Sequence, residues 1–218
     1  MTYPSWWKPW NPQQPTEPMS RVIKVCGFDP SLRNWGMAAG TFDLDSKKIE
    51  IKKLGLINPV LPTGKQVRQN SLDLESAMQL YQTAAATAQD ADVVFVEVPV
   101  GSQSARAMAS YGICVGVLGS LRAANVPFFE VTPIEVKLAA VGIKTATKEQ
   151  MIKWATTKHP EANWPTYKEK GAVLLSEAKA EHMADAVASI YAGIACNPFQ
   201  QLLPMLAAHY QGKYANQP

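Results

Sequence analysis

The chain has 218 residues, 47% hydrophobic and 18% charged, a composition typical of a soluble globular protein and unlike that of a disordered one. Its net charge of +3 is too small to indicate nucleic-acid binding, although seven lysines and only three glutamates lie between residues 137 and 170. That basic stretch fits a phosphate-binding surface and equally an ordinary solvated face. The three cysteines lack a C-x-x-C spacing, which argues against a structural zinc site and indicates reduced thiols in a cytoplasmic protein.

The first twenty residues differ from the rest of the chain. Residues 1–20 hold five prolines and three of the six tryptophans, so we expect an extended arm whose large rings need a surface to cover. That surface belongs to the protein itself or to a partner, and stacking on nucleic-acid bases is the alternative. The chain shows neither the apolar core of a signal peptide nor a run long enough to span a membrane, and we expect no membrane association.

Strand patterns dominate the residues that follow the arm. β-branched and apolar residues predict strands at 21–31, 35–45 and 47–57, arranged as an antiparallel meander. A helix is predicted over 71–91, with Ser71 as its N-cap. This helix should cover one face of the sheet.

The middle of the chain has the pattern of a strand, a helix and a second strand. The continuous apolar run at 92–100 predicts a strand buried on both faces, and the run at 126–133 predicts its parallel neighbour. Between them, 104–125 predicts a long helix whose spaced glycines indicate close packing, either within the chain or against a second copy. Two shorter helices are predicted at 133–142 and 147–159.

A helix closes the predicted domain. Residues 160–171 are polar and predict irregular structure, whereas 180–193 (AEHMADAVASIYAG) have the apolar spacing of a buried helix. We therefore predict one α/β domain over 21–196, with a mixed sheet of about five strands and helices on both faces. Residues 197–218 are expected to form a C-terminal tail.

Three acidic residues stand where acids are uncommon. Asp29 ends the first strand, and Glu97 interrupts the apolar run of the buried strand. Asp185 lies on the apolar C-terminal helix, three residues after His182, so the two side chains share one helix face. A buried carboxylate is unfavourable unless it is paired, hydrogen-bonded or bound to a cation. A structural role explains any one of these acids alone, but not all three together.

Together these residues predict a metal site. If the first strand and the buried strand are neighbours, Asp29 and Glu97 face each other at one edge of the sheet. The last helix can add His182 and Asp185 to the same cluster. Oxygen-rich sites of this kind select Mg²⁺ or Mn²⁺, and two such ions can activate a water and stabilise the leaving oxygen in phosphodiester hydrolysis. We therefore predict a nuclease with two Mg²⁺ ions, which Mn²⁺ can replace.

Four stretches of the sequence, in this order, resemble motifs of the RuvC Holliday-junction resolvases, members of the RNase H-like nuclease superfamily. They are VCGFDPSLRNWGMA, VVFVEVP, VTPIEVKLAAVGIKTATKEQMIKW and EHMADAVASIYAG. The resemblance implies an RNase H-like fold and a crossover-junction endodeoxyribonuclease. It also implies a homodimer that nicks branched DNA such as four-way junctions.

Motif positions assign expected roles to individual residues. By resemblance, the metal ligands and catalytic residues are Asp29, Glu97, His182 and Asp185. Lys137 and Lys148 match lysines that approach the DNA phosphates, and Lys148 is also expected to act in catalysis. Three further residues after Glu97 are expected to contact DNA: Ser102, Ser104 and Arg106. His182 is expected to bind metal or carry a proton, and Ser189 to face the phosphate.

Departures from the family pattern leave the substrate open. Ser31 stands where the family often has glycine, and the loop after Glu97 has no aromatic residue where resolvases often carry one. Flap or other branched DNA is therefore an alternative to the four-way junction. A catalytically inactive DNA-binding or assembly protein is a second alternative, although it would not need three converging acids. An actin-like ATPase is a third, although such enzymes usually place a nucleotide between two domains.

Overall fold

The computed structural model describes residues 21–64 and 67–215, with side chains up to residue 210. The arm predicted for residues 1–20 lies outside the described residues. The helices and strands follow in chain order: β1 (Val22–Asp29), β2 (Trp35–Asp43), β3 (Ile49–Ile57), α1 (Gln69–Gln89), β4 (Val93–Glu97), α2 (Ala105–Ala123), β5 (Phe129–Val131), α3 (Pro133–Val141), α4 (Lys148–Lys158), β6 (Thr166–Glu169), β7 (Ala172–Leu175), α5 (Glu177–Ala195) and α6 (Asn197–Ala215). Within this part of the chain, none of the helices combines the length and apolarity that a membrane span requires.

Five strands form one mixed sheet in the order β3-β2-β1-β4-β5. The first three strands are antiparallel, which confirms the predicted meander, and β1 pairs in parallel with β4. Strands β4 and β5 are also parallel, as the strand, helix and strand pattern predicted. Because β1 and β4 are adjacent and parallel, their carboxyl ends meet at the same edge of the sheet.

Alternating side chains of the central strands pack against different helices. On one face, Ile23 and Val25 of β1 pack in a core that includes Val187 and Ile190 of α5. On the other face, Cys26 and Phe28 of β1 pack in a core that takes one set of residues from α1 and α2: Leu80, Ala84, Cys114, Val117, Leu118 and Leu121. The period of two along a strand produces this division. The predicted sheet with helices on both faces is therefore confirmed.

Helix α5 lies unusually close to the sheet at two glycines. A methyl group built on Gly27 would stand 2.1 Å from the carbonyl oxygen of Ala186, and one built on Gly36 would stand 2.0 Å from that of His182. Real side chains do not tolerate such distances. Only glycine therefore allows the backbone of α5 to approach β1 and β2 at these positions.

Two parts of the C-terminal region differ from the sequence-based expectation. Within 160–171 the chain enters a two-stranded hairpin, β6 and β7, where we predicted irregular structure. The segment predicted as a tail contains α6, and its Phe199 is fully buried among Phe42, Phe95 and Phe129. The packed core thus extends beyond residue 196.

One local prediction is wrong, and for a second the structure excludes one of two alternatives. Helix α1 begins at Gln69 after Arg68, without a side-chain cap, so Ser71 is not the N-cap. The glycines of α2 do not pack closely within the chain, because a methyl group on Gly112, Gly116 or Gly119 would meet nothing within 4 Å in the described structure.

Candidate active site

The strand alternation that builds the two cores also directs two carboxylates to the face covered by α5. Asp29 follows Val25 and Gly27 on that face of β1, and Glu97 follows Val93 and Phe95 on that face of β4. The register aligns Phe28 with Val96, so the next residue on each strand is an acid. Asp29 and Glu97 therefore stand side by side at the carboxyl ends of two parallel strands.

Helix α5 adds the remaining polar side chains to the same place. The close approach at Gly36 holds the backbone of His182 against β2, and Asp185 follows one helical turn later on the same face. A cavity of about 240 Å³ is lined by these and other residues: Asp29, Pro30, Ser31, Glu97, Pro99, Val100, Gly101, Tyr111, Pro133, Glu181, His182 and Asp185. The structure thus brings all four predicted metal-site residues to one cavity.

His182 is hydrogen-bonded to the first of these acids. The distance between its Nδ1 and Oδ2 of Asp29 is 2.7 Å, and both side chains are largely buried. Burial by itself disfavours the charged imidazolium, but the hydrogen bond and charge of Asp29, with the charges of Glu181 and Asp185, raise the pKa of His182. The pair fixes the orientation of Asp29 as well as that of the imidazole.

The other two carboxyl groups have strongly perturbed acidity. Burial raises the pKa of Glu97 to about 9, and the nearby charges of Asp29 and Asp185 act in the same direction. Burial, followed by Asp29 and Glu181, raises the pKa of Asp185 to about 7. Negative charge in this cavity is therefore only partly compensated by the protein's own cations.

The four side chains line one cavity, but they do not form a ready-made ligand cage. Over residues 21–64 and 67–215, no three histidine, cysteine, aspartate or glutamate side chains converge closely enough to hold one ion. One oxygen of Asp29 is engaged by His182. The donor set is nevertheless that of a hard cation, because three carboxylates from three elements surround a partly buried space.

The two lysines assigned from the motifs, Lys137 and Lys148, lie close to this cavity. Nζ of Lys148, at the start of α4, is 2.7 Å from Oε1 of Glu181, and the lysine side chain is 71% exposed. Lys137 on α3 is close enough for its charge to oppose the rise in the pKa of both Glu97 and Asp185. The positive charge therefore stands at the rim of an acidic cavity.

Three residues expected to contact DNA have hydrogen-bond or ion-pair partners within the chain. Arg106 forms a two-pronged ion pair with Asp73 of α1, with both N–O distances at 2.8 Å. The Ser104 side chain caps α2 by accepting a hydrogen bond from the Ala107 amide, and the Ser102 hydroxyl accepts one from the Ser104 amide.

Ser189 does not face the cavity. It is fully buried, and its hydroxyl donates to the carbonyl oxygen of Ala186 beside Gly27. The expected contact between Ser189 and a phosphate is therefore wrong.

Two residues of the cavity were missed in the sequence. Glu181 precedes His182 directly, and its position on a helix with two other polar side chains was an available signal. Tyr111 of α2 also lines the cavity. It supplies an aromatic ring that the loop after Glu97 lacks, but no local pattern indicates it, because only tertiary packing brings α2 to this place.

Comparison with solved structures identifies the fold. RuvC of T. thermophilus in complex with a Holliday junction substrate superposes with a TM-score of 0.55 at 20% sequence identity, over 78% of this chain and 92% of that one. The yeast mitochondrial Holliday junction resolvase Ydc2 gives a TM-score of 0.54 at 17% identity, over 90% of this chain and 85% of that one. No protein-family model and no curated protein sequence matches the chain. The similarity in structure nevertheless shows that the chain has the RNase H-like fold of the RuvC-type resolvases.

Proposed function

We propose that the chain is a metal-dependent DNA endonuclease that hydrolyses phosphodiester bonds in four-way junctions or other branched DNA. The observation that carries the proposal is that Asp29, Glu97 and Asp185, from two strands and a helix, line the same cavity. Each of these acids was expected at this place from a different motif, and the fold is that of resolvases. An inactive binding protein would have no use for three partly buried carboxylates with uncompensated charge.

A divalent cation suits this cavity chemically. The raised pKa values of Glu97 and Asp185 reflect burial first and then repulsion from the neighbouring carboxylates, and the charge of a bound cation would oppose both effects. Asp29, Glu97 and Asp185 would hold Mg²⁺, or Mn²⁺ in its place, and His182 would be a ligand or would hold Asp29 in position. Two such ions would supply an activated water and neutralise the charge of the phosphate.

The lysines fit a role toward the DNA backbone. Lys148 is mostly exposed and held at the rim by Glu181, so its ammonium group can reach a phosphate that enters the cavity. The charge of Lys137 acts on Glu97 and Asp185 and reduces the negative potential that a phosphate would meet. These two side chains therefore offset the repulsion between an acidic site and a polyanion.

The substrate class follows from the same set of observations. Two of the structural neighbours are a RuvC solved with a Holliday junction and a resolvase of such junctions, which favours branched DNA here. In the loop after Glu97, residues 98–104, Val100 is the one large exposed hydrophobic side chain. We therefore propose branched DNA as the class and leave four-way junctions, flaps and other branches to the cleavage experiment.

A homodimer is the proposed assembly. Helix α2 has no charged residue between Arg106 and Arg122. It forms an apolar groove of about 500 Å³ with α1, and the groove is lined by residues of both helices: Leu74, Ala77, Met78, Tyr81, Ile113, Gly116, Val117 and Ser120. A second copy of the chain is the proposed occupant, because a two-fold contact between the same helices of two copies would cover this groove. The resulting dimer would present two active sites to a junction that is itself two-fold symmetric. Sedimentation should show a dimer that Met78→Arg converts to a monomer, and a monomer in both proteins would contradict the assembly.

The cleavage experiment tests the activity directly. Labelled four-way junctions, flaps and linear duplexes are incubated with the protein and Mg²⁺, Mn²⁺ or a chelator. We expect metal-dependent cleavage of branched DNA that is abolished by Asp29→Asn and by Asp185→Asn. Asp90→Asn, an exposed aspartate after α1, is the matched control and should cleave normally. Binding without cleavage under both ions would instead favour the inactive DNA-binding protein.

A further inference from the structure

The β6–β7 hairpin stands apart from the rest of the molecule. Its two strands pair only with each other, outside the five-stranded sheet. Every residue from Thr166 to Leu174 is exposed, and Val173 and Tyr167 are exposed to 63% and 48%. A two-stranded hairpin of this length is at best marginally stable by itself. Such an exposed ribbon with apolar side chains on both faces is typical of an element that contacts a partner.

The base of the hairpin is fixed, and it is fixed to the helix of the active site. The Ser176 amide donates to the Pro165 carbonyl oxygen at 2.8 Å, and Leu175 packs against a small cluster that includes Ala180 and Ala184 of α5. Helix α5 begins two residues after β7, and His182 follows within its first two turns. The base of the hairpin therefore lies close to the cavity of the proposed active site, and the hairpin extends from the end of α5 that lines this cavity.

Lysines occupy the outer end of the hairpin. Lys168 and Lys170 form no ion pair with any carboxylate of the described residues, and Glu169 is the one acidic side chain between them. The turn itself consists of Lys170 and Gly171, with φ of 49° and 85°. A two-residue turn with two positive φ values prefers asparagine, aspartate or glycine at the first position. Lysine is thus present against the local backbone preference, which points to a use for its charge.

From this placement we infer that the β6–β7 hairpin, through Lys168 and Lys170, binds the phosphate backbone of one duplex arm of the branched DNA, at a distance from the phosphodiester bond that is hydrolysed. The inference rests on the proposed nuclease function and adds a second DNA contact to it. From Ser176 to His182 the helix rises about 9 Å, and four strand residues extend about 13 Å further. These lengths place the tip at most about 22 Å from His182, which corresponds to at most about six base pairs along an arm at 3.4 Å per base pair.

The test compares two lengths of junction arm. Four-way junctions with arms of about 20 base pairs, or of about 5 base pairs closed by an uncharged linker, are bound in chelator so that no strand is cut. The wild-type protein should bind the long-armed junction about tenfold more tightly. The Lys168→Ala/Lys170→Ala variant should bind both junctions with the same affinity. For the long-armed junction, the slope of log affinity against log salt concentration should decrease in magnitude by about two, because two phosphate contacts are lost. Lys24→Ala/Lys53→Ala, which removes two exposed lysines of the main sheet, should behave as wild type.

A second variant and an independent readout keep the outcomes distinct. Replacing residues 167–174 by two glycines should abolish the arm-length preference, while thermal unfolding checks that the domain is still folded. If the wild-type protein prefers long arms and both variants keep that preference and salt dependence, the hairpin inference is wrong and the nuclease stands. If only the shortened variant loses the arm-length preference, and its sedimentation shows a different oligomeric state from the wild type, the hairpin contacts protein and the inference is overturned. If the wild-type protein binds neither junction, the proposed function fails as well.

Discussion

Substituting Gly36 by alanine tests whether the close approach of α5 creates the site. The added methyl would stand 2.0 Å from the carbonyl oxygen of His182, where ordinary contacts begin at 3.4 Å. Because the obstacle is backbone, no side-chain rotation relieves it, and α5 must retreat by roughly 1 Å. Overpacking of this kind costs about 1–3 kcal/mol of unfolding free energy, or a fall in Tm of about 2–12 °C at this chain length.

The same retreat separates His182 from Asp29, which are now 2.7 Å apart. Misplacement of catalytic groups by about 1 Å costs on the order of a hundredfold in rate, so cleavage should fall much more than stability. Tm by calorimetry and single-turnover cleavage of a labelled junction give the two numbers. Gly119→Ala is the control, because its methyl meets nothing within 4 Å and should raise stability by about 0.5–1 kcal/mol. Wild-type Tm and rate in Gly36→Ala would refute the reasoning.

The remaining predictions concern charge and the sheet edge. Without metal, Glu97 has a pKa of about 9 in the folded protein against 4.5 for a free glutamate. The folded state therefore retains a proton that the unfolded state loses, and the free energy of unfolding should decrease as the pH rises from about 5 to 9. In calorimetry, Glu97→Gln should show a smaller decrease over this range. Glu181→Gln should tighten DNA binding at low salt, since it removes a negative charge and frees Lys148. Asn163→Ala should cost about 1–3 kcal/mol, because it removes two hydrogen bonds to the Leu54 backbone.

Controls for these predictions lie on the same surfaces. Glu177→Gln, one turn before Glu181, should leave DNA affinity closer to wild type. Asn70→Ala removes an exposed amide without a hydrogen bond among the described residues and should leave Tm unchanged. A pH profile that is the same in Glu97→Gln and wild type, weaker binding in Glu181→Gln, or an unchanged Tm in Asn163→Ala would contradict the respective prediction.

The sequence predicted the main sheet and its acids because both depend on local order. A strand's period of two places Asp29 and Glu97 on the face of Val25 and Val93, and helical spacing places His182 beside Asp185. The order of the four motifs along the chain predicted the RNase H-like fold without any knowledge of tertiary contacts. These features need only the chain and one assumption, that the first and fourth strands are neighbours.

The sequence did not predict the hairpin or the last helix of the core. Residues 160–171 are polar, and their turn uses Lys170 where asparagine or glycine would have indicated a hairpin. Helix α6 contains Pro204, a residue that usually ends a helix. Its place in the core depends on the packing of Phe199 against rings from three strands, which no local pattern reports.

The chemical identity of the candidate site was thus determined by the sequence, because strand and helix periodicity fix which face each acid occupies. Its environment was decided only by the tertiary structure. Burial and mutual repulsion set the acidity of Glu97, the Lys148 ammonium is paired with Glu181, and Arg106 is paired with Asp73. Acidity and ion pairing depend on distances between segments far apart in the chain, and those distances exist only once the helices have packed on the sheet.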